Sequence, residues 1–358
     1  MPAEWERHER TWMCWPERPD TWRDRARPAQ WAFASVASAI AEHEAVTMAV
    51  SHAQREAARV ALPPEVSVVT LESDDAWMRD IGPTFVVDDH GNRRGVDWVF
   101  NAWGGPQGGL YATWDRDDRV AAAVLEHEHA ERYRAPIVLE GGAIHVDGQG
   151  TVLTTEECVL NPNRNPGLGR GDAERVLAEY LGIERVVWLG AGVYLDETDG
   201  HVDNLACFVE PGVVALAWTE DTLDPQYERS LDARRRLEST VDARGRALDV
   251  RLVPCPGPLA MTGDEAAGVV ARPGTKPRRA GDRLAASYVN WYVANEVVVL
   301  PQLDERLDDE VRELVGHLYP QRRAVGVAAR EILLGGGNVH CITQQVPCGA
   351  GSEGPERR

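Results

Sequence analysis

Glu140-Gly141-Gly142-Ala143-Ile144-His145 and, far down the chain, Gly335-Gly336-Gly337-Asn338-Val339-His340-Cys341 carry the same pattern: a glycine pair, one residue, Ile or Val, then His. An echo of this kind asks whether the chain between and around the two copies is built from a repeated unit. Amphipathic helical patterns begin near Gln30, His52, Asp118, Asp172, Asp224 and Asp304. In the last, Leu307, Val311, Leu314 and Leu318 recur at helical spacing and Pro320 ends the run. Between the helices, short apolar runs bounded by Gly, Asn or Pro at 136–140, 151–155, 186–189, 205–209, 213–218, 296–300 and 331–334 read as strands. Helices therefore alternate with pairs or triples of strands throughout, without a linker. The reading is an α/β chain, with a modular repeat closed around an axis as the architecture the echo suggests.

The composition sets outer limits. With 358 residues, 43% hydrophobic and 27% charged, the chain can bury a large core and has neither a disordered nor a collagenous composition. Its apolar runs, such as 120–125 and 297–300, are far too short to span a membrane. The amino terminus is charged from Glu4 and lacks the apolar stretch of a signal peptide, so a cytoplasmic location is expected. Six dispersed cysteines without a Cys-x-x-Cys pair read as a reduced set, with no structural zinc site. Against 57 Asp and Glu stand 38 Lys and Arg, a net charge of -19 that repels nucleic acid and favours cationic ligands.

Four segments concentrate reactive groups. In Glu197-Thr198-Asp199-Gly200-His201-Val202-Asp203, an extended backbone would turn His201 and Asp203 to one face, an imidazole beside a carboxylate. In the second, Glu140 closes an apolar strand before two glycines, where a buried carboxylate needs a cationic partner such as His201 or a ligand. The third, Trp77-Met78-Arg79-Asp80, sets an acid next to an indole face, a setting for a flat cation, although Arg79 and Asp80 read equally as a surface ion pair. In the fourth, a glycine run opens onto Cys341, with room for a substrate to reach the thiol. Cys14, Cys158, Cys207, Cys255 and Cys348 read as small buried apolar side chains.

One Cys, one His and three or four carboxylates support nucleophilic catalysis on a cation: a guanidinium takes planar bidentate acceptors, whereas an amide needs oxyanion donors. A Glu-Lys-Cys amidase arrangement fits poorly, because the single lysine, Lys276, lies in an Arg- and Gly-rich stretch. His127 and His129, two apart on a helix, face different directions and suggest no metal. Gly167-Leu168-Gly169-Arg170-Gly171 lacks the dinucleotide-binding frame.

The stretches WMRDIGPTFVV, FNAWGG, LEGGAIHVDGQGTVLTTEECVLNPNRNP, DETDGHVDNLACFVEPG, DPQYERS, GTKPRRAGDRLAASYVNWY and EILLGGGNVHCITQQVP, in order from about Trp12 to Pro347, resemble the agmatine deiminase family of the guanidine-modifying (pentein) superfamily, related to bacterial peptidylarginine deiminases. The resemblance implies a five-bladed α/β propeller, a pseudo-fivefold repeat of strand-strand-helix-strand units around a central site, with 1–348 as one catalytic domain and 349–358 as a disordered tail. It implies hydrolysis of agmatine to N-carbamoylputrescine and ammonia, a step toward putrescine, with no metal or organic cofactor. Carried over by motif, Cys341 is the nucleophile, His201 the general acid and base, Asp80 and Asp203 the guanidinium acceptors, and Glu140 the carboxylate holding guanidinium and histidine in place. Trp77 and Glu197 would line the substrate, Glu197 at its amine end. The alternatives are an arginine or peptidylarginine deiminase, or a silent guanidinium-binding module. The expected partner is thus a small cation, neither nucleic acid nor membrane, and a homo-oligomer is compatible with the sequence.

Overall fold

In the computed structural model, residues 1–349 are described, and sixteen strands among them form five small mixed sheets. In the first, β1 (His8–Cys14), β2 (Ala45–Val50) and β3 (Ser67–Thr70) run parallel. The second holds β4 (Thr84–Val87), β5 (Arg93–Val99) and β6 (Glu131–Val138), and the third β7 (Ile144–Val146), β8 (Thr151–Thr155) and β9 (Arg185–Leu189). The fourth holds β10 (Ala206–Glu210), β11 (Val213–Trp218) and β12 (Asp249–Pro254), and the fifth β13 (Tyr292–Val293), β14 (Val297–Gln302) and β15 (Arg323–Ala328). The last strand, β16 (Thr343–Pro347), returns to the first sheet and lies antiparallel to β1, with His8 opposite Pro347.

One rule generates all five sheets: an antiparallel pair, then a third strand parallel to the second. A parallel partner requires a crossover, and the one that follows the antiparallel pair carries a long helix in every sheet: Arg27–Ala41, Asp117–His127, Arg170–Leu181, Pro225–Glu238 and Asp308–Leu318. In the first sheet β3 joins parallel to β2 after the short helix Arg55–Ala61. Each helix buries one stripe. In the first, Ala29, Ala32, Phe33, Val36, Ala37 and Ile40 follow the three-four spacing that keeps side chains on one face. The fourth begins where Pro225 presets the first turn and the Asp224 carboxylate accepts the Gln226 N–H at 2.9 Å.

Two expectations need correcting. The run 331–334 is not a strand but part of the helix Arg330–Gly335, closed by Gly336 at φ +114°. Ile332, Leu333 and Leu334 are buried whichever way they point, and so short an apolar run gives no periodicity to separate helix from strand. The helix expected from Asp304 starts at Asp308, because the Asp308 carboxylate accepts the N–H groups of Leu303 and Asp304 and holds the preceding residues in a turn. The tail expected at 349–358 lies, apart from Gly349, outside the described residues. Among the described residues no helix is long and apolar enough to cross a membrane.

Candidate active site

Each sheet is entered through a short turn just ahead of its antiparallel pair, and these five entrances supply the site. Asp80 sits on the turn Met78–Ile81 before β4, and Glu140 precedes the turn Gly141–Ala143 before β7. His201 caps, and Asp203 belongs to, the turn Val202–Leu205 before β10. Asn290 lies just before β13, and Cys341 occupies the turn His340–Ile342 before β16. All six side chains are buried. The strand expected around His201 is therefore a helical turn, and the two residues share a site because they wind around its start, not because they alternate along a strand.

His201 Nε2 is 3.5 Å from Glu140 Oε2 and Nδ1 is 3.9 Å from Asp80 Oδ2. Neither ring nitrogen has a hydrogen-bond partner among the described residues, and neither has Asp203 Oδ1. Unpaired polar atoms at such depth are costly unless a ligand completes them. Cys341 Sγ lies 3.7 Å from Asp203 Oδ2 and 3.3 Å from Asn290 Nδ2, while Asn290 Oδ1 accepts the His340 N–H at 3.0 Å. Asp80 accepts the Gly142 N–H at 2.9 Å and the Trp103 indole N–H at 3.0 Å.

Two glycines make this convergence sterically possible. A Cβ on Gly142 would lie 2.5 Å from His201 Nδ1, 2.8 Å from Asp203 Oδ2 and 3.0 Å from Asp80 Oδ1. One on Gly337 would lie 2.5 Å from the Trp77 ring and 3.1 Å from Cys341 Cβ, so Trp77 packs directly against the loop that leads to the thiol. Arg79, adjacent to Asp80, does not pair with it: it turns away to Gln345 at 2.7 Å and Glu4 at 3.1 Å. Glu197 abuts Gly336, with Oε1 engaged by Arg278 and by Lys276 at 3.4 Å and Oε2 without a hydrogen-bond partner among the described residues.

The charges are strongly coupled. Burial pushes Asp80 up to about 6, with Asp203 and Glu140 adding to the rise and His201 opposing it. Burial would raise Glu140 too, but Arg164, bonded to it at 2.9 Å, and His201 outweigh that and hold it at about 2. His201 loses by burial and gains more from Asp80, Cys158 and Glu140, ending well above the ordinary imidazole range. Burial, then Asp203 and Asp80, drive the Cys341 thiol well above its usual value. Both directions favour the charged form of the His201 imidazole and disfavour the thiolate of Cys341.

Trp103, Arg164 and Asn290 were not singled out in the sequence. All three lie inside the motif stretches, yet nothing local distinguishes them; only the fold brings them onto Asp80, Glu140 and Cys341. Cys158 is more than an apolar filler, since its Sγ is 4.0 Å from Glu140 Oε2, and Cys255 and Cys348 are only half-buried. His127 and His129 are exposed. Among the described residues two groups are compact enough for a metal, Glu4–His145–His340 and Glu140–Cys158–His201. In each the carboxylate already carries a guanidinium, Arg79 on Glu4 and Arg164 on Glu140, which disfavours a further cation there.

This sequence and fold have known counterparts. The profile of the Porphyromonas-type peptidyl-arginine deiminase family matches residues 1–347, and the chain belongs to that family. Its relatives include proteins named as agmatine deiminases. That of Stutzerimonas stutzeri (strain A1501) is 56% identical over 349 residues, covering 97% of this chain and 95% of the relative. The structure of agmatine deiminase of Enterococcus faecalis superposes with a TM-score of 0.95 at 48% identity, over 97% of this chain and 95% of that one. DDAH from Pseudomonas aeruginosa, at 14% identity and a TM-score of 0.50 over 95% of this chain and 100% of that one, shares the fold alone. The resemblance drawn from the motifs is thereby upheld.

Proposed function

We propose that the protein hydrolyses agmatine to N-carbamoylputrescine and ammonia, the agmatine deiminase reaction, in a single domain spanning 1–348 whose five sheets form the blades of an α/β propeller around the site. The observation that carries the reading is a buried thiol 3.7 Å from Asp203, in a buried cluster that also holds Asp80, Glu140 and His201, where Asp203 Oδ1 has no hydrogen-bond partner among the described residues. A planar guanidinium between Asp80 and Asp203 would supply the donor that Asp203 Oδ1 lacks, through an Nη–H bond to that oxygen.

In this mechanism Asp80 and Asp203 fix the guanidinium plane with its carbon against Cys341 Sγ. The entering cation offsets the two carboxylates that hold the thiol proton in place, so the thiol ionises as substrate binds and its proton passes to solvent. Sγ adds to the guanidinium carbon. His201, already protonated, donates to the departing nitrogen, the C–N bond breaks, and ammonia leaves a thiouronium on Cys341. Neutral His201 then takes a proton from water, whose oxygen adds to the same carbon. The C–S bond breaks and a urea, N-carbamoylputrescine, is released with the thiol restored. Glu140, anchored by Arg164, holds His201 between the two half-reactions.

The test compares ammonia release from agmatine, arginine and an arginyl peptide, with Cys341→Ser as control. Turnover on agmatine that disappears in the folded variant, with the mass of a thiouronium on the Cys341 peptide of wild type quenched during turnover, is the expected outcome. Near-normal turnover by Cys341→Ser would remove the nucleophile, and preference for arginine or peptide would move the substrate.

A further inference from the structure

We propose that His340 is a positioning residue: a permanently charged imidazolium beneath Asp203 that pins one carboxylate oxygen and leaves the other free for the substrate guanidinium. The inference rests on the guanidine-hydrolysing reading above and extends it to a residue outside the groups that touch substrate.

The argument is geometric. His340 Nδ1 is 2.8 Å from Asp203 Oδ2 and Nε2 is 2.8 Å from Glu4 Oε2. A neutral imidazole donates from one nitrogen and accepts at the other, whereas an ionised carboxylate only accepts. Glu4 is held ionised by Arg79 at 3.1 Å on the same oxygen and takes the Val293 N–H at 2.9 Å on the other. Asp203 would otherwise stand buried beside Asp80 and Glu140, where one of the carboxylates would take up a proton. Two bonds of this length to two ionised acceptors require both ring nitrogens to carry hydrogen.

The backbone fixes this ring from the other side. The His340 N–H is bonded to Asn290 Oδ1 at 3.0 Å, and the amide of the same Asn290 contacts Cys341 Sγ at 3.3 Å. The groups facing His340 are Glu4, Asp203, Arg79 and His145, whose ring centre lies 6.1 Å away. Those acting on Asp203 are His340, His201 and Arg79, with Cys341 in contact and Asp80 coupled to it. Asp203 Oδ2 is thereby occupied, and Oδ1, buried and without a hydrogen-bond partner among the described residues, is the oxygen left to receive a guanidinium. The directions agree: Asp203 sits below its ordinary range because the bond to His340 overcomes burial, and His340 sits above its own because Glu4 and Asp203 overcome burial and Arg79.

The experiment uses the full chain with His340→Gln, which keeps a donor toward Asp203 but not the charge. Measured on agmatine, KM is expected to rise about tenfold or more with a smaller fall in kcat, and the acid limb of kcat/KM, set by Asp80 at about 6 in wild type, to move upward and steepen as Asp203, deprived of the imidazolium, comes to titrate in the same range. A merely structural role would lower activity without moving that limb, so an unmoved limb overturns the proposal. Should the variant fail to fold, ¹⁵N-histidine NMR of His201→Asn protein decides instead. One imidazole with both nitrogens protonated up to pH about 8 is expected, well above the ordinary His range, and a spectrum lacking it refutes the assignment. That readout is independent of turnover: absence of ammonia release by wild type would remove the catalytic reading, while a persistent imidazolium would still mark His340.

Discussion

Gly142→Ala adds a single methyl group at the point where three working side chains meet. The new carbon would lie 2.5 Å from His201 Nδ1, where ordinary contact begins near 3.4 Å, so the imidazole or the turn must retreat by about 0.9 Å. Asp203 and Asp80, at 2.8 and 3.0 Å, must give as well. None can move freely: Asp80 is tied to the Gly142 N–H and Trp103, and Asp203 to His340. A displacement of about 1 Å at a reacting group costs about 10²-fold in rate, or about 2.7 kcal/mol of transition-state stabilisation. Steady-state kinetics on agmatine, with thermal unfolding as the control for folding, measure it. A purified variant with an unchanged melting temperature and a kcat/KM within about threefold of wild type would show that the three groups do not act as one constellation.

Arg164→Met leaves Glu140 buried without its guanidinium, and breaking such a pair is expected to cost about 3–5 kcal/mol, measurable as a lowered urea midpoint. The kcat/KM for agmatine is expected to fall as pH drops through about 6, because Asp80 titrates there and its protonated form no longer accepts from a cation; above that value the carboxylate is ionised and activity is full. A profile flat down to the ordinary carboxylate range would contradict that role. Glu197→Gln is expected to lower kcat/KM for agmatine about 10- to 100-fold through loss of a charged hydrogen bond worth roughly 1.5–3 kcal/mol, and to hurt arginine less. Oε1 is already engaged by Arg278 and Lys276, so a contact with the ammonium would fall to Oε2, and an unchanged ratio of the two substrates, the outcome if those two cations already neutralise the carboxylate, would remove Glu197 from the site.

What could be read from the chain depended on whether a signal was local. The five crossover helices were legible because each must bury a continuous stripe. The run at 331–334 was not, because a segment buried all round has no stripe to read. Cys341 stood out through its glycine approach. Trp103, Arg164 and Asn290 carry no such mark, for an indole, a guanidinium and an amide gain their roles only when turns from different sheets are brought together. His201 and Asp203 were noticed for a wrong reason, the period of a strand, when a helical turn of four residues positions them.

The pairing of β16 with β1 makes Cys341, the proposed nucleophile, a latecomer. Cys341 sits on the turn that leads into β16, and β16 finds its partner in His8–Cys14, among the first residues to be synthesised. While the ribosome is still translating the fifth sheet, β1 has a parallel neighbour in β2 but an open edge on its other side, a hazard that chains commonly manage by covering it late. The four earlier sheets pair strands nearby in sequence, whereas this one spans almost the entire chain, the kind of contact that slows folding. A nascent or C-terminally clipped chain is therefore expected to hold Asp80, Glu140, His201 and Asp203 without Cys341, so under the proposed mechanism chemical competence arrives only when β16 joins β1.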